Sequence, residues 1–275
     1  MKGKQLTLKE LQQESLKILK DVHRFCIDND ILYSVAYGTL IGVIRHHGFI
    51  PWDDDIDIIM PRPHYDRFIR LYQSAKYKLK SPEIDEDDML AFARVYDSSR
   101  TCIDSIIPWC KSDVGVWIDV FPVDCVPDEE DIFRCRYADM QGYWKKSITA
   151  RTACGRFRSD KSMLFNIKLI AKKILYGNGK VALRCINRVV TMAKEFPWGK
   201  TGHFSQLCCL DSYEYHSCDS FKSASYMPFE DTEVMVMNGY DEVLRACFGD
   251  YMKLPPVEQQ VGHTNELIKF YWKEP

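Results

Sequence analysis

Four carboxylates fall within five positions at Asp53, Asp54, Asp55 and Asp57, and the apolar run Ile58-Ile59-Met60 follows at once. In a strand, successive side chains alternate faces, so Asp55 and Asp57 would share one face while Ile56 and Ile58 enter the core. Two carboxylates so close repel each other unless a cation lies between them. Magnesium, a hard cation that takes oxygen ligands and bridges to phosphates, suits such a pair, with manganese as the alternative. Asp53 and Asp54 can equally be turn residues, because turns favour Asp. A solvated strand end is the plainer reading of Asp55 and Asp57, but a solvated face seldom runs directly into Ile-Ile-Met.

Two other places could complete such a site. Residues Ile31 to Tyr37 read as a buried strand that turns through Gly38-Thr39 into a short helix ending near His46. Free backbone amides and the positive end of the helix dipole would then meet at one point, which suits a phosphate. A third carboxylate is usually needed to hold metal or polarise a hydroxyl nucleophile. Asp119 is the candidate, because an acid within Val116-Trp117-Ile118-Asp119-Val120-Phe121 would otherwise be costly. Its alternative is a buried Asp paired with an Arg. An anion cradle beside a metal platform is what metal-dependent phosphoryl transfer requires.

These residues need elements to hold them. Thr7 to Glu10 has the form of a capping box, and Leu8, Leu11, Ser15, Ile18, Val22 and Phe25 follow at helical spacing until Asp28-Asn29-Asp30. Pro61 and Pro63 should stop the acidic strand and open a helix carrying Tyr65, Phe68, Ile69 and Tyr72. Strands are expected over Met89–Tyr96, Thr101–Ile107 and Val116–Phe121, the last ended by Pro122. Residues 128–196 read as mainly helical with a break at Gly177-Asn178-Gly179. Strands near His203 and over Glu233–Met237, a helix over Tyr240–Phe248 and a polar-aromatic tail follow. This order predicts an α+β fold, a mixed β-sheet core flanked by helices with a mainly helical elaboration. The expected organisation is a catalytic core over 1–127, a basic helical segment over 128–200 and a segment over 201–275 that packs back on the core.

With 275 residues, 46% of them hydrophobic, the chain can bury a large core. It opens on polar residues, and no apolar run approaches the about 18 residues that span a bilayer, so the expected location is cytoplasmic, peripheral at most to the inner face of a membrane. The eleven cysteines form no CxxC pair and read as reduced thiols. His203, Cys208, Cys209, His216 and Cys218 could supply zinc ligands, but their spacing fits no standard finger. Between Arg134 and Glu195, fifteen Lys or Arg stand against three acids, a local charge of +12 within a chain of net charge −2. Met163, Leu164, Phe165, Ile167, Leu169, Ile170, Ile174 and Leu175 alternate there with lysines, a composition that suits a helix in an anionic membrane interface. The alternative is a helix packed on the domain with a solvated basic face. Nucleic acid is not expected as a partner, since the basic run lacks a recognised module.

The stretches Tyr37–His46, Gly48–Asp57 with Met60-Pro61-Arg62, Ile118–Pro122 and Phe248–Pro256 together resemble the signature of the LicD family, with Phe248 where the family usually has Tyr. The resemblance runs from about Val22 to His263. It implies a nucleotidyltransferase-like fold and, as in the bacterial members, transfer of phosphocholine from CDP-choline to a sugar hydroxyl of a cell-surface glycan or lipid-linked precursor. Fukutin-related proteins, which use CDP-ribitol, are distant relatives. Carried onto this sequence, the resemblance implies that Asp55, Asp57 and Asp119 hold magnesium and that Gly38 and Thr39 face the diphosphate. Arg45, Arg94 and Arg100 are candidates to neutralise that diphosphate, and any one of them could instead form a surface salt bridge. A choline headgroup would need an aromatic wall, for which Trp52, Trp117, Tyr37 and Trp109 are candidates. The expected reaction is attack by an acceptor hydroxyl on the phosphorus nearest the alcohol, with CMP leaving and Asp119 assisting deprotonation. Two rivals are nucleotidyl transfer from a nucleoside triphosphate and a non-catalytic membrane-surface regulator.

Overall fold

The structure is a computed structural model that describes residues 2–85, 88–105, 114–155, 162–262 and 268–274. In chain order its elements are β1 (Lys2–Gln5), α1 (Leu8–Asp28), β2 (Ser34–Val35), α2 (Tyr37–His46), β3 (Asp57–Pro61), α3 (Arg62–Leu71), β4 (Lys78–Lys80), β5 (Ala93–Tyr96), β6 (Thr101–Ser105) and β7 (Trp117–Val126). There follow α4 (Glu130–Arg151), α5 (Met163–Tyr176), α6 (Lys180–Ala193), β8 (His203–Gln206), β9 (His216–Ser217), β10 (Ala224–Phe229), β11 (Thr232–Met237), α7 (Tyr240–Phe248) and β12 (Ile268–Lys273). The fold is α+β, as the pattern predicts.

A seven-stranded sheet forms the centre, with β2, β3, β7, β5 and β4 in that order and β8 and β9 continuing from β7. It is mixed because β3 and β7 run parallel while the other pairs are antiparallel. β7 is the pivot. Its first half pairs with β5 and its second half with β8, so ten residues serve two partners on one edge. Ile56, Ile58, Met60, Ile118 and Val120 are fully buried between the helices. The helix α1 lays Ile18, Leu19 and Val22 on this core, its start fixed by both halves of the Thr7–Glu10 capping box.

Three expectations need correction. Pro122 does not end its strand, which continues to Val126. The β5 pairing stops at Val120 and the β8 pairing starts at Val123, so the missing amide of Pro122 falls in the gap between two partners. The polar-aromatic tail is a strand, β12, between β1 and β6, and β1, β4, β9 and β10 are also strands that the pattern did not mark. β1 and β9, of four and two residues, are too short to show a period. The acidic strand starts only at Asp57, so Asp53 to Ile56 form an irregular approach to it. The Gly177–Gly179 break is as expected, with Gly177 and Gly179 at φ +59° and +101°, which glycine adopts without strain.

Candidate active site

Asp57 opens β3 and is the register partner of Asp119 on β7, which is in turn the register partner of Arg94 on β5. Directly opposed residues of neighbouring strands share a face, so two carboxylates and a guanidinium stand in one row across three strands. Arg94 Nε donates to Asp119 Oδ1 at 2.7 Å, and its guanidinium lies 4.4 Å from the centre of the Trp117 ring. Asp119 is thus paired with an Arg, the alternative raised for it, and stands opposite Asp57 in register. The backbone of Asp57 is held on both sides. Its amide donates to Thr39 Oγ1 at 3.0 Å and its carbonyl accepts from the Ala36 amide at 3.0 Å, which ties the start of α2 to the start of β3.

Among the described residues, Asp53, Asp54 and Asp55 form a group in which one carboxylate oxygen from each lies within 4.8 Å of the others. Asp57 and Asp119 stand outside that group, on the strands. Asp53 and Asp54 are both buried, and the Asp53 amide closes a turn by donating to the Ile50 carbonyl at 2.9 Å. Burial, with the charge of Asp54, pushes Asp53 up to about 6. Burial pushes Asp57 well above the ordinary carboxylate range, and the charges of Asp55, Asp119 and Asp53 push the same way. Five carboxylates crowded in this manner form an oxygen-rich, mutually repelling set, the donor chemistry that a hard divalent cation takes. The residues present therefore fit magnesium or manganese.

The turn that delivers this set is tight. Tyr37 sits at φ +50°, a left-handed conformation that is strained for a bulky residue. Its ring packs edge-on against Phe121, and its hydroxyl donates to Glu214 Oε1 at 3.1 Å. Glu214 Oε2 lies 3.4 Å from His216 Nε2, and Cys247 Sγ lies 3.8 Å from the same nitrogen. Beside Tyr37, a Cβ added to Gly38 would come within 2.6 Å of Asp53 Oδ2, so only glycine lets the carboxylate approach the helix start.

An open cleft of about 720 Å³ joins these parts: Tyr37, Gly38, Arg45, Trp52, Asp53, Asp55 and Asp57 line one side. The facing side is built from Phe248, Asp250, Tyr251, Lys253, Pro255, Gln259 and Val261. Nothing in the spacing of the late Phe248–Pro256 motif marks it as a cleft wall, since only the fold brings it across from α2. Arg45 makes the join, donating through Nη1 to the Tyr251 carbonyl at 2.8 Å and to the Lys253 carbonyl at 3.3 Å.

Not every expected residue lines the cleft: Thr39 bonds the Asp57 amide and Arg94 bonds Asp119, and none of Thr39, Arg94 and Asp119 is among the lining residues. Arg100 lies in a separate cleft with Glu14, Asp21 and Asp97, its Nη2 donating to Glu14 Oε1 at 2.9 Å. Trp117 is buried between Arg94 and the Phe270 ring and does not line the cleft, whereas Trp52 does. Trp109 lies outside the described residues. The five His and Cys of the zinc reading are divided: His203 bonds Asp128 and stacks on Tyr215, Cys218 lies beside Cys125, and His216 faces Glu214 and Cys247.

In this α+β sheet, Asp57 and Asp119 oppose one another on the neighbouring parallel strands β3 and β7, and Asp57 reaches the wall of the open cleft. Residues 30–144 match the family described as LicD/FKTN/FKRP, nucleotidyltransferase domain. Over 277 residues the chain is 31% identical to lipopolysaccharide cholinephosphotransferase LicD of Haemophilus influenzae, an alignment covering 94% of this chain and 97% of that protein. It is also 37% identical over 71 residues to an uncharacterized protein of Rickettsia typhi, covering 25% of this chain and 23% of the relative. A Rickettsia prowazekii protein, likewise uncharacterized, is 28% identical over 116 residues, 41% and 40% of the two chains. The chain belongs to the LicD family.

Proposed function

We propose that this protein is a phosphotransferase that moves a phospho-alcohol group, phosphocholine, from a CDP-alcohol donor to a sugar hydroxyl of a cell-surface glycan or its lipid-linked precursor. The row Asp57–Asp119–Arg94, whose Asp57 end lines the cleft, is the observation that carries the reading. Similarity along nearly the whole chain to a cholinephosphotransferase supports the choice of headgroup.

Each part of the cleft then has work to do. The wall from Phe248 to Val261 and the α2 side would enclose the donor, with Gly38 presenting backbone where its diphosphate lies. Asp53, Asp54, Asp55, Asp57 and Asp119 would hold magnesium, which when bound offsets charge on the phosphate in transfer. Arg94 fixes the rotamer of Asp119, so that carboxylate is oriented before the acceptor hydroxyl gives up its proton. Thr39 keeps Asp57 in place through the backbone and does not need to touch the donor. Trp52 offers the cleft an aromatic face for a quaternary ammonium.

The test is product analysis of the purified chain with CDP-choline, CDP-ribitol, CDP-glycerol and CTP, with magnesium and with chelator. Metal-dependent release of CMP from a CDP-alcohol, lost in Asp57→Asn, is the expected result. Pyrophosphate release from CTP would replace this reading with nucleotidyl transfer. Absence of turnover and of donor binding would leave a regulatory protein.

A further inference from the structure

The helix α5 is turned inside out. An amphipathic helix of a folded domain normally directs its apolar stripe to the core. Here Met163, Ile167, Ile170 and Ile174 recur at helical spacing on one face, with Leu164 and Leu175 beside them, and all six are exposed. Met163 and Ile174 are 80% and 79% accessible and Leu175 is 69% accessible, whereas Leu169 on the opposite face is buried. A contiguous apolar face of this kind marks a site of contact with something else.

The charges around it say what. No acid occurs between Met163 and Tyr176, and the exposed Lys168 and Lys172 border the apolar arc, Lys172 reaching Thr152 Oγ1 at 3.0 Å. Lys180, Arg184 and Arg188 are exposed on α6, and residues 134–195 together carry +12. A second copy of the chain would bring this basic rim against itself in a self-complementary contact, which like charges oppose. Apolar side chains in acyl chains with lysines at headgroup level satisfy both features. No helix among the described residues is long and apolar enough to cross a membrane, so the contact is peripheral.

We infer that α5 docks this protein on an anionic bilayer surface, its Met163–Ile167–Ile170–Ile174 face entering the interface and its flanking lysines meeting acidic headgroups. The inference stands apart from the transferase reading, because no residue of α5 lines the cleft.

The experiment is flotation of the full-length protein with phosphatidylcholine vesicles, with and without phosphatidylglycerol, at low and high salt. Wild type is expected to bind the anionic vesicles and to be released by salt. Lys168→Ala and Lys172→Ala should each lower partitioning roughly fivefold, and Ile167→Asp with Ile174→Asp by roughly tenfold or more. These side chains are exposed, so circular dichroism and melting should match wild type. Asp57→Asn should bind as wild type does, which separates failure here from failure of the proposed chemistry. Equal partitioning of wild type and the Ile167→Asp, Ile174→Asp variant overturns the inference. So does a concentration-dependent dimer in sedimentation that those substitutions abolish while vesicles bind neither protein.

Discussion

Arg62 and Asp124 lock the α3 start to β7 through two parallel hydrogen bonds, Nε to Oδ1 and Nη2 to Oδ2, each 2.6 Å long and largely buried. Arg62 belongs to one of the motifs that resemble the family, yet neither it nor its strand partner lines the cleft, so its expected contribution is to stability. Arg62→Ala leaves a buried carboxylate unpaired and should cost about 3–5 kcal/mol. Urea denaturation measures it, and donor binding by the fraction that remains folded should be unchanged.

The crowding of Asp57 by Asp55, Asp119 and Asp53 sets stability against function. Asp57→Asn should lower turnover at least roughly 10²–10³-fold. In chelator the same substitution removes like-charge repulsion and should raise the melting temperature, by about 2–4 °C for each kcal/mol gained. A fall in melting temperature in chelator would show that the carboxylates are not in conflict.

The two carbonyls gripped by Arg45 belong to the facing wall of the cleft. Arg45→Ala should loosen that wall, raising KM for the donor roughly tenfold or more with a smaller effect on kcat. Limited proteolysis near Tyr251 should become faster. An equal fall in kcat with unchanged KM would contradict a positioning role.

Trp52 lines the cleft and Trp117 does not. If a choline headgroup is bound there, Trp52→Ala should raise KM for CDP-choline by roughly 2–30-fold and leave CDP-glycerol nearly unaffected. Equal losses for both donors would mean that Trp52 only packs.

Asp97 gives a pH test away from the cleft. Burial raises its pKa, but the Ser99 hydroxyl and amide, the Arg100 amide and the Thr101 hydroxyl together outweigh burial and lower it. A carboxylate lowered on folding contributes stability above its unfolded value, and that contribution is lost as pH falls toward the folded one. Asp97→Asn should therefore cost about 1–3 kcal/mol at neutral pH and progressively less below pH about 4. Denaturation curves of both proteins at the two pH values check the sign.

Local chemistry made much of this protein legible from residues alone. The capping box at Thr7, the glycine break at Gly177 and Gly179, the α7 helix and the acidic run all act within a few residues, so their types and spacing suffice. Pro122 misled because proline removes one amide hydrogen bond, and whether the sheet needs that bond depends on which strands flank it.

Residue types alone determined that carboxylates gather after Trp52, that a glycine turn precedes them and that a basic, acid-poor helix lies in the middle. Tertiary structure decided the rest. Register between β3, β7 and β5 put Asp57, Asp119 and Arg94 in one row, though they come from three separate stretches of chain. Packing buried Asp53 and Asp54, sent Arg100 and Trp117 away from the cleft, brought the Phe248–Val261 wall to face α2, and left the apolar face of α5 in solvent. Spacing within a segment limits which side chains share a face, but the neighbour across that face is set by contacts between residues far apart in sequence.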